Sequence, residues 1–265
     1  MRNTLLLLLI IAITTLSYGQ QTKVLFIGNS YTYVNDLPNL LSDLSLSLGD
    51  TIVHDQSTPG GSRFLNHAAN TTTLSKISQD NWDFVILQAQ SQEPSWHPDQ
   101  MTTEVFPYAQ ILVDSIKSNN SCTEPVFFMT WGRKYGDQVN CIDYGWTPVC
   151  TFLGMQERLM AGYMTMGEQN SSTVSPVGLA WKHAMDNDPD SLINLYSADF
   201  SHPALPGSYL TTCVMYATLF QKSPVGATFH SSLSADVALF LQQMAHDVTL
   251  ACIIHKNKQN DVNIL

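Results

Sequence analysis

The sequence predicts an α/β protein, a three-layer α/β/α sandwich built on a five-stranded parallel sheet. Three observations support this prediction. Short runs rich in Val, Ile and Phe alternate with longer segments in which apolar residues recur three and four positions apart. The runs are mostly apolar on both faces, which is typical of parallel strands that helices cover on both sides. No linker-like segment divides the 265 residues, so we expect one domain.

Each element is predicted from its own pattern, in chain order. The five strands are the apolar runs at residues 23–27, 51–55, 84–88, 126–131 and 173–177. The crossover helices are the segments at about 36–49, 64–79, 99–118 and 152–168, and two longer helices at about 204–221 and 234–254 close the chain. Asp36 is expected to cap the first helix and Gly49 to end it. A sheet of this class favours the flavodoxin-like strand order.

The first 19 residues have the pattern of a secretory signal peptide. Arg2 precedes the apolar run at 5–13, and the small residues Ser17 and Gly19 stand before a cleavage point. The run is too short to span a membrane, which takes about 20 residues. We therefore expect residues 20–265 to form the mature domain, secreted or periplasmic and without a membrane span.

The charge balance and the cysteines narrow the choice of partners and cofactors. A net charge of -10 disfavours a nucleic-acid partner. No Cys-x-x-Cys or His-x-x-x-His spacing indicates a metal site, and no glycine-rich phosphate loop indicates a nucleotide cofactor, so we expect neither metal nor cofactor. Export permits disulfides, and Cys141 and Cys150 bracket a segment that reads as a long loop. We predict a bridge between these two cysteines.

The residues that could carry chemistry follow the predicted strands, where sheets of this class bind their ligands. Ser30 comes directly after the first strand, in a strand-to-helix turn that would expose its hydroxyl. A serine nucleophile needs a positioned base, usually a histidine oriented by a carboxylate. Among the eight histidines only His202 has an aspartate, Asp199, three residues before it. Ser30, His202 and Asp199 are therefore the predicted catalytic residues.

Acyl transfer also needs hydrogen-bond donors for the oxyanion of its tetrahedral intermediate. Gly61 lies soon after the second strand, and Gln88 and Gln90 stand at the end of the third. We predict that Gly61 and one of the two glutamines supply these donors, with the choice of glutamine open.

Four sequence blocks together resemble those of the SGNH (GDSL-like) hydrolases, over nearly the whole mature chain. The blocks are Phe26-Ile27-Gly28-Asn29-Ser30, Gly60-Gly61, Gln88-Ala89-Gln90 and Asp199-Phe200-Ser201-His202. The resemblance implies a nucleophilic serine at Ser30, whose backbone N–H joins Gly61 in the oxyanion hole, and an aspartate–histidine pair at Asp199 and His202. It also implies the fold predicted above.

The chain departs from the usual pattern of these hydrolases in two blocks. Asn29 stands where aspartate is commoner, which leaves the nucleophile unchanged. Glutamines stand where Gly-x-Asn-Asp is usual. Aligning that block puts Gln90 in the asparagine's place, whereas Gln88 resembles the strand-end glutamine of carbohydrate-acetylesterase branches.

The leading hypothesis is a secreted serine esterase that hydrolyses a short-chain ester, preferably an acetyl ester of a carbohydrate, through an acyl-enzyme. Two alternatives remain: a non-catalytic carbohydrate-binding protein on the same fold, and a hydrolase of the lipase or thioesterase type. Trp131 follows the fourth strand and Trp146 lies between the paired cysteines, so both are candidates to stack on a sugar ring. His67, near the start of a predicted helix, is a third candidate substrate contact.

Overall fold

The structure, a computed structural model, describes residues 21–262, and the side chains of residues 21–250. Its core is one parallel sheet of five strands: β1 (Thr22–Ile27), β2 (Ile52–Ser57), β3 (Phe84–Leu87), β4 (Glu124–Phe128) and β5 (Thr173–Ser175). The strand order is β2-β1-β3-β4-β5 and every neighbouring pair is parallel. The predicted sheet and its flavodoxin-like order are confirmed. The predicted signal peptide lies outside the described residues.

Helices connect the strands and cover both faces of the sheet. In chain order they are α1 (Ser30–Tyr33), α2 (Leu37–Ser47), α3 (Phe64–Ala69), α4 (Thr71–Ser78), α5 (Pro98–Glu104), α6 (Phe106–Asn119), α7 (Gln138–Ile142), α8 (Phe152–Gln169), α9 (Val177–Asp186), α10 (Leu205–Phe220) and α11 (Ala235–Val262). None of these helices, within the part of the chain that is described, is long and apolar enough to cross a membrane.

Alternation along β1 shows how the two faces are filled. Val24 and Phe26 pack into a core with α2, α9, α10 and α11, whereas Leu25 and Ile27 pack into a second core with α3 to α6 and α8. All four side chains are fully buried. The predicted three-layer sandwich is therefore present, because a central strand that is apolar on both faces needs a helical layer on each side.

Two segments that the apolar spacing predicts as single helices are each divided into two. The predicted helix at 64–79 is broken at Asn70, whose side chain accepts a hydrogen bond from the backbone N–H of Thr73 and so caps α4. The predicted helix at 99–118 is broken at Val105, just before Pro107 in the first turn of α6.

Several expectations about element ends were wrong. The fourth strand ends at Phe128 rather than at residue 131, and the last helix extends to Val262 rather than to about residue 254. The fifth strand ends at Ser175 rather than at residue 177, and Val177 already begins α9, a helix that the apolar spacing did not reveal. Pro176 separates the two elements, since it has no N–H for a sheet and is tolerated at a helix start. Asp36 does not cap α2 with its side chain. It has a φ of 56° and its carboxylate accepts a hydrogen bond from Asn39 instead.

The predicted disulfide is confirmed. Cys141 and Cys150 are bonded, with their Cα atoms 5.0 Å apart. The bridge joins the end of α7 to the turn that leads into α8, and it closes a loop of mostly exposed residues. This loop follows β4 and Ser30 follows β1, so both lie at the edge of the sheet where the parallel strands have their carboxyl ends.

Candidate active site

Ser30, His202 and Asp199 form a continuous series of hydrogen bonds at the carboxyl end of the sheet. The Oγ atom of Ser30 lies 2.8 Å from Nε2 of His202, although 172 residues separate them along the chain. Nδ1 of the same ring lies 2.5 Å from Oδ2 of Asp199. Such a series lets a histidine accept the serine proton while the carboxylate fixes the ring and stabilises its charged form.

The turn that contains Asp199 orients the carboxylate. Its Oδ1 atom accepts hydrogen bonds from the backbone N–H groups of Ser201 and His202, at 3.1 and 3.0 Å. Burial alone would raise the pKa of the Asp199 carboxyl, but the hydrogen bonds from the His202 ring and from these two N–H groups together lower it. The side chain is thereby kept ionised. Phe200 makes the turn tight by adopting a φ of 60°, which is uncommon for a bulky residue.

A stack of aromatic rings supports this turn from beneath. Trp131 lies between Tyr31 and Trp181, with ring centroids 4.7 and 3.9 Å away and nearly parallel planes. The Trp131 ring N–H donates to the backbone carbonyl of Ser201, and the Tyr31 hydroxyl lies 2.6 Å from the Ser201 hydroxyl. Trp131 is fully buried. It therefore holds the turn before His202, and the structure does not place it where a sugar could stack, contrary to the expectation from the sequence.

Gln88 holds the turn that presents Ser30. Its Oε1 atom accepts hydrogen bonds from the backbone N–H of Asn29 and from the Thr32 hydroxyl, at 2.8 and 3.0 Å. Its amide nitrogen donates to the backbone carbonyl of Ala89. The side chain is fully buried. A Cβ at Gly28 would lie 2.6 Å from Gln88 Oε1, so the glycine is what allows this close approach.

Asn29 links the serine turn to the glycine loop. Its Oδ1 atom accepts from the backbone N–H of Tyr31 and so caps α1, while its amide group donates to the backbone carbonyl of Ser62 at 3.0 Å. Gly61, one residue before Ser62, has a φ of 69° and is exposed. One buried side chain thus fixes the position of Gly61 relative to Ser30.

The two glutamines differ in what their amide groups contact. Both the oxygen and the nitrogen of the Gln88 amide have partners within the buried turn. Gln90 is partly exposed, and its amide nitrogen has partners only at 3.4 Å, on Ser91 and Gln92. The Oε1 atom of Gln90 accepts from the backbone N–H of Gln92 at 2.8 Å. This difference favours Gln90 as the side chain that can turn a donor toward a ligand.

His67 is a supporting residue of the serine turn and does not line an open surface. The side chain is 1% exposed. Nε2 donates to the Gly28 carbonyl at 2.8 Å, and the Thr73 hydroxyl lies 3.0 Å from Nδ1. Burial lowers the pKa of His67, so the ring is neutral and each nitrogen has one partner. The expected role as a substrate contact is not supported by this position.

Trp146 does border an open cavity. Its ring N–H donates to the backbone carbonyl of Ser95 at 2.9 Å, and the ring is half-buried. The cavity has a volume of about 590 Å³ and also contacts Trp96 and Tyr144, which the sequence did not single out as binding residues. Tyr144 lies between the same two cysteines as Trp146, so the signal that marked Trp146 could also have found it.

One charged side chain at the end of a strand was given no role by the sequence analysis. Arg133 follows β4, and its guanidinium donates to the Ser91 hydroxyl at 3.2 Å. Within the part of the chain whose side chains are described, no carboxylate lies within 4.0 Å of it, and no group of three metal-binding side chains is present.

Comparison with solved structures identifies the fold. A DUF4886 family protein from Bacteroides uniformis ATCC 8492 superposes with a TM-score of 0.72 at 16% identity, over 87% of this chain and 95% of that one. A candidate GDSL-like lipase from Parabacteroides merdae ATCC 43184 gives a TM-score of 0.54 at 16% identity, over 77% and 98%.

An acetyl xylan esterase from Geobacillus stearothermophilus gives a TM-score of 0.50 at 14% identity, over 81% of this chain and 99% of that one. No family model matches the chain, and no curated protein matches it. The chain has the fold of the SGNH (GDSL-like) hydrolases, as the sequence resemblance implied.

Proposed function

We propose that the protein is an exported serine esterase that removes a short acyl group, preferably acetyl, from a carbohydrate. The observation that carries this proposal is the hydrogen-bonded series of Ser30, His202 and Asp199. A binding module gains nothing from a serine held 2.8 Å from a histidine that a carboxylate orients.

The first half of the reaction forms an acyl-enzyme. Ser30 Oγ attacks the ester carbonyl as its proton passes to His202 Nε2, and Asp199 stabilises the imidazolium. The tetrahedral intermediate then collapses: the bond from carbon to the sugar oxygen breaks, and that oxygen takes the proton from His202. The free sugar hydroxyl leaves and the acyl group stays on Ser30.

The second half returns the enzyme to its starting state. A water molecule gives a proton to His202 and attacks the acyl carbonyl, and Ser30 Oγ then leaves with the proton from the ring. In both halves we assign the oxyanion to the backbone N–H groups of Ser30 and Gly61 and to the Gln90 amide. Three donors of this kind would stabilise charge that appears only in the transition state.

Two observations support a carbohydrate ester and export. One of the solved structures with the same fold is an acetyl xylan esterase, which directs attention to acetylated glycans for this chain. The disulfide between Cys141 and Cys150 suits an oxidising compartment, as does the signal-peptide pattern of the first 19 residues.

The test compares the mature protein with its Ser30→Ala variant for release of p-nitrophenol from acetate, butyrate and octanoate esters. We expect wild-type activity that falls with acyl length and a loss of about 10,000-fold or more in kcat for the variant, because the covalent route is removed. Ser78→Ala, at the exposed end of α4, is the matched control and should retain full activity.

Other outcomes would contradict the proposal in distinct ways. Full hydrolysis by Ser30→Ala would exclude the serine mechanism. A preference for octanoate would indicate a lipase-type enzyme. Glycan binding without turnover of any ester by the wild type would indicate a carbohydrate-binding protein.

A further inference from the structure

A second feature is built from the segments that follow β3 and β4, and it takes no part in the mechanism above. We call it the aromatic groove and define it by six of the residues that line its volume of about 590 Å³: Gln92, Trp96, Gln100, Asn140, Tyr144 and Trp146. Three of these side chains are aromatic and three are amides. Tyr144 is the most exposed, at 76%.

The aromatic groove is joined to the proposed oxyanion residues by two short connections. On one side the backbone N–H of Gln92 donates to the side chain of Gln90 at 2.8 Å. On the other side Arg63, two residues after Gly61, places its guanidinium 4.9 Å from the centre of the Trp96 ring. A ligand in the groove would therefore adjoin the residues to which we assign the oxyanion.

The chemistry of the aromatic groove selects against charged ligands and against acyl chains. Among the residues described as lining it there is no Lys, Arg, Asp or Glu, His97 is the one imidazole, and Val139 is the only aliphatic side chain. An anion would need a cationic partner, and a long acyl chain would need an apolar wall. Aromatic faces combined with hydrogen-bonding amides instead match a pyranose ring, which has apolar C–H faces and a rim of hydroxyls.

The amide groups of the aromatic groove are oriented by hydrogen bonds to carboxylates. Asp137 is fully buried and accepts hydrogen bonds from the amide nitrogens of Gln92 and Asn140, at 2.8 and 2.5 Å. Glu104 accepts in the same way from Gln100 at 3.2 Å. With one N–H of each amide engaged, the carbonyl oxygens of Gln100 and Asn140 can accept hydrogen bonds from hydroxyl groups, whereas Gln92 Oε1 lies 3.4 Å from the Gln90 amide nitrogen.

The aromatic side of the groove is also fixed in place. The Trp146 ring is tied to the Ser95 carbonyl, and the His97 ring packs against it with centroids 4.8 Å apart. The Arg158 guanidinium lies 5.5 Å from its centre. The disulfide between Cys141 and Cys150 closes the loop that carries Tyr144. A surface that is ordered before binding loses less conformational entropy when a ligand arrives.

We propose that the aromatic groove is a sugar-binding subsite that takes an uncharged pyranose ring of the glycan, next to the ring whose ester is cleaved at Ser30. The proposal rests on the esterase function for its role in catalysis, but binding of the sugar itself does not require an intact nucleophile. The substrate class is therefore an acylated neutral oligosaccharide rather than an acylated monosaccharide.

The first experiment compares substrates of two sizes in the wild type and two variants, Tyr144→Ala and Gln100→Ala. For O-acetylated xylo-, manno- and cello-oligosaccharides we expect KM to rise about tenfold in each variant for at least one series, whereas p-nitrophenyl acetate should be hydrolysed at the wild-type rate. Ile142→Ala is the matched control, because Ile142 is 70% exposed in the same segment and does not line the groove. Unchanged KM values for all three series would overturn the proposal.

The second experiment separates this proposal from the esterase function. Ser30→Ala is titrated calorimetrically with the deacetylated hexasaccharides of the same three series, with and without Tyr144→Ala. We expect binding that weakens about tenfold when Tyr144 is replaced. Such binding with no ester turnover by the wild type would leave the subsite standing and overturn the esterase, whereas ester turnover with no Tyr144-dependent binding would overturn the subsite alone.

Discussion

At the scale of single residues, the site divides into side chains that face the ligand and side chains that hold them. Ser30, His202 and Gln90 are at least partly exposed, whereas Gln88, Asn29 and His67 are buried with their polar atoms bonded to the serine turn. A buried polar atom without a partner costs about 1 to 3 kcal/mol. Any other conformation of the turn would leave these atoms unpaired, so the supporting bonds favour one geometry of the serine turn. Removing a ligand-facing side chain should therefore affect rate, and removing a supporting one should affect stability as well.

This division gives opposite expectations for the two glutamines. Gln90→Ala should lower kcat on p-nitrophenyl acetate by about 100- to 1000-fold, the usual effect of one lost oxyanion donor, and leave the free energy of unfolding within about 0.5 kcal/mol. Gln88→Ala leaves the Asn29 N–H and the Thr32 hydroxyl without their buried partner. We therefore expect the free energy of unfolding to fall by about 2 to 4 kcal/mol, in addition to a lower kcat.

Urea unfolding and steady-state kinetics on both variants check this prediction. Gln90→Glu is a useful control, since it keeps the side-chain length but places an acceptor where a donor is needed. A large drop in rate for Gln88→Ala with unchanged stability, together with full activity of Gln90→Ala, would assign the oxyanion donor to Gln88 instead.

At the scale of elements, one ion pair anchors the segment between β3 and α5. Glu93 is fully buried, and its carboxylate is paired with Arg63, which also contacts the more exposed Glu104. Burial raises the pKa of Glu93, although the Arg63 guanidinium opposes that change. The pair joins the glycine loop to the segment that carries Trp96, so it links the oxyanion side of the site to the aromatic groove.

Arg63→Ala should destabilise the protein in a pH-dependent way. Without the guanidinium the folded-state pKa of Glu93 rises further above the 4.5 of an ordinary glutamate. The variant's loss in free energy of unfolding is therefore small near pH 4.5. The loss grows as the pH rises, because Glu93 gives up its proton in the unfolded chain, and it reaches about 3 kcal/mol once the unpaired charge must be buried in the folded protein. Urea unfolding at pH 5 and pH 8 measures the difference.

Two further variants give this prediction its control. Glu93→Gln in the Arg63→Ala background should recover most of the stability at pH 8, since no charge is then buried. Glu104→Gln alone should cost less than about 1 kcal/mol, because that carboxylate is half exposed. Equal losses for Arg63→Ala at the two pH values would show that the ion pair is not the cause.

The elements also show what local sequence can reveal. The strands were predictable because β1 and β3 are apolar at every buried position. The Ser30 turn, and the pair formed by Asp199 and His202 three residues apart, could be predicted from local spacing and family resemblance. The stack of Tyr31, Trp131 and Trp181 was not predictable, because it joins three distant segments and its burial is decided by tertiary packing. The same reason explains why Trp131 and His67 read as surface residues.

At the scale of the whole molecule, removing the disulfide should lower activity on large substrates and leave activity on small ones unchanged. Cys141→Ser/Cys150→Ser opens the loop that carries Tyr144 and should raise KM for acetylated oligosaccharides several-fold, while hydrolysis of p-nitrophenyl acetate is unchanged. Closing a loop of this length accounts for about 2 to 3 kcal/mol at most, so the fold should survive. Cys122→Ser, at an exposed cysteine, is the matched control. Equal effects on both substrates would mean that the loop supports the triad as well.

The net charge of the molecule leads to a final prediction about substrate choice. A net charge of -10 repels polyanions over about 30 Å at 10 mM salt but over only about 8 Å at 150 mM. The described lining of the aromatic groove includes no Lys or Arg, and the Arg63 and Arg158 guanidiniums lie over Trp96 and Trp146, so we expect local charge to offset this repulsion only in part. For acetylated oligogalacturonides, kcat/KM should therefore rise several-fold when NaCl is raised from 10 to 150 mM, whereas for acetylated xylo-oligosaccharides it should change by less than about twofold. A salt response that is the same for both substrates would show that a local cation, with Arg133 the first to test, governs the approach of the glycan.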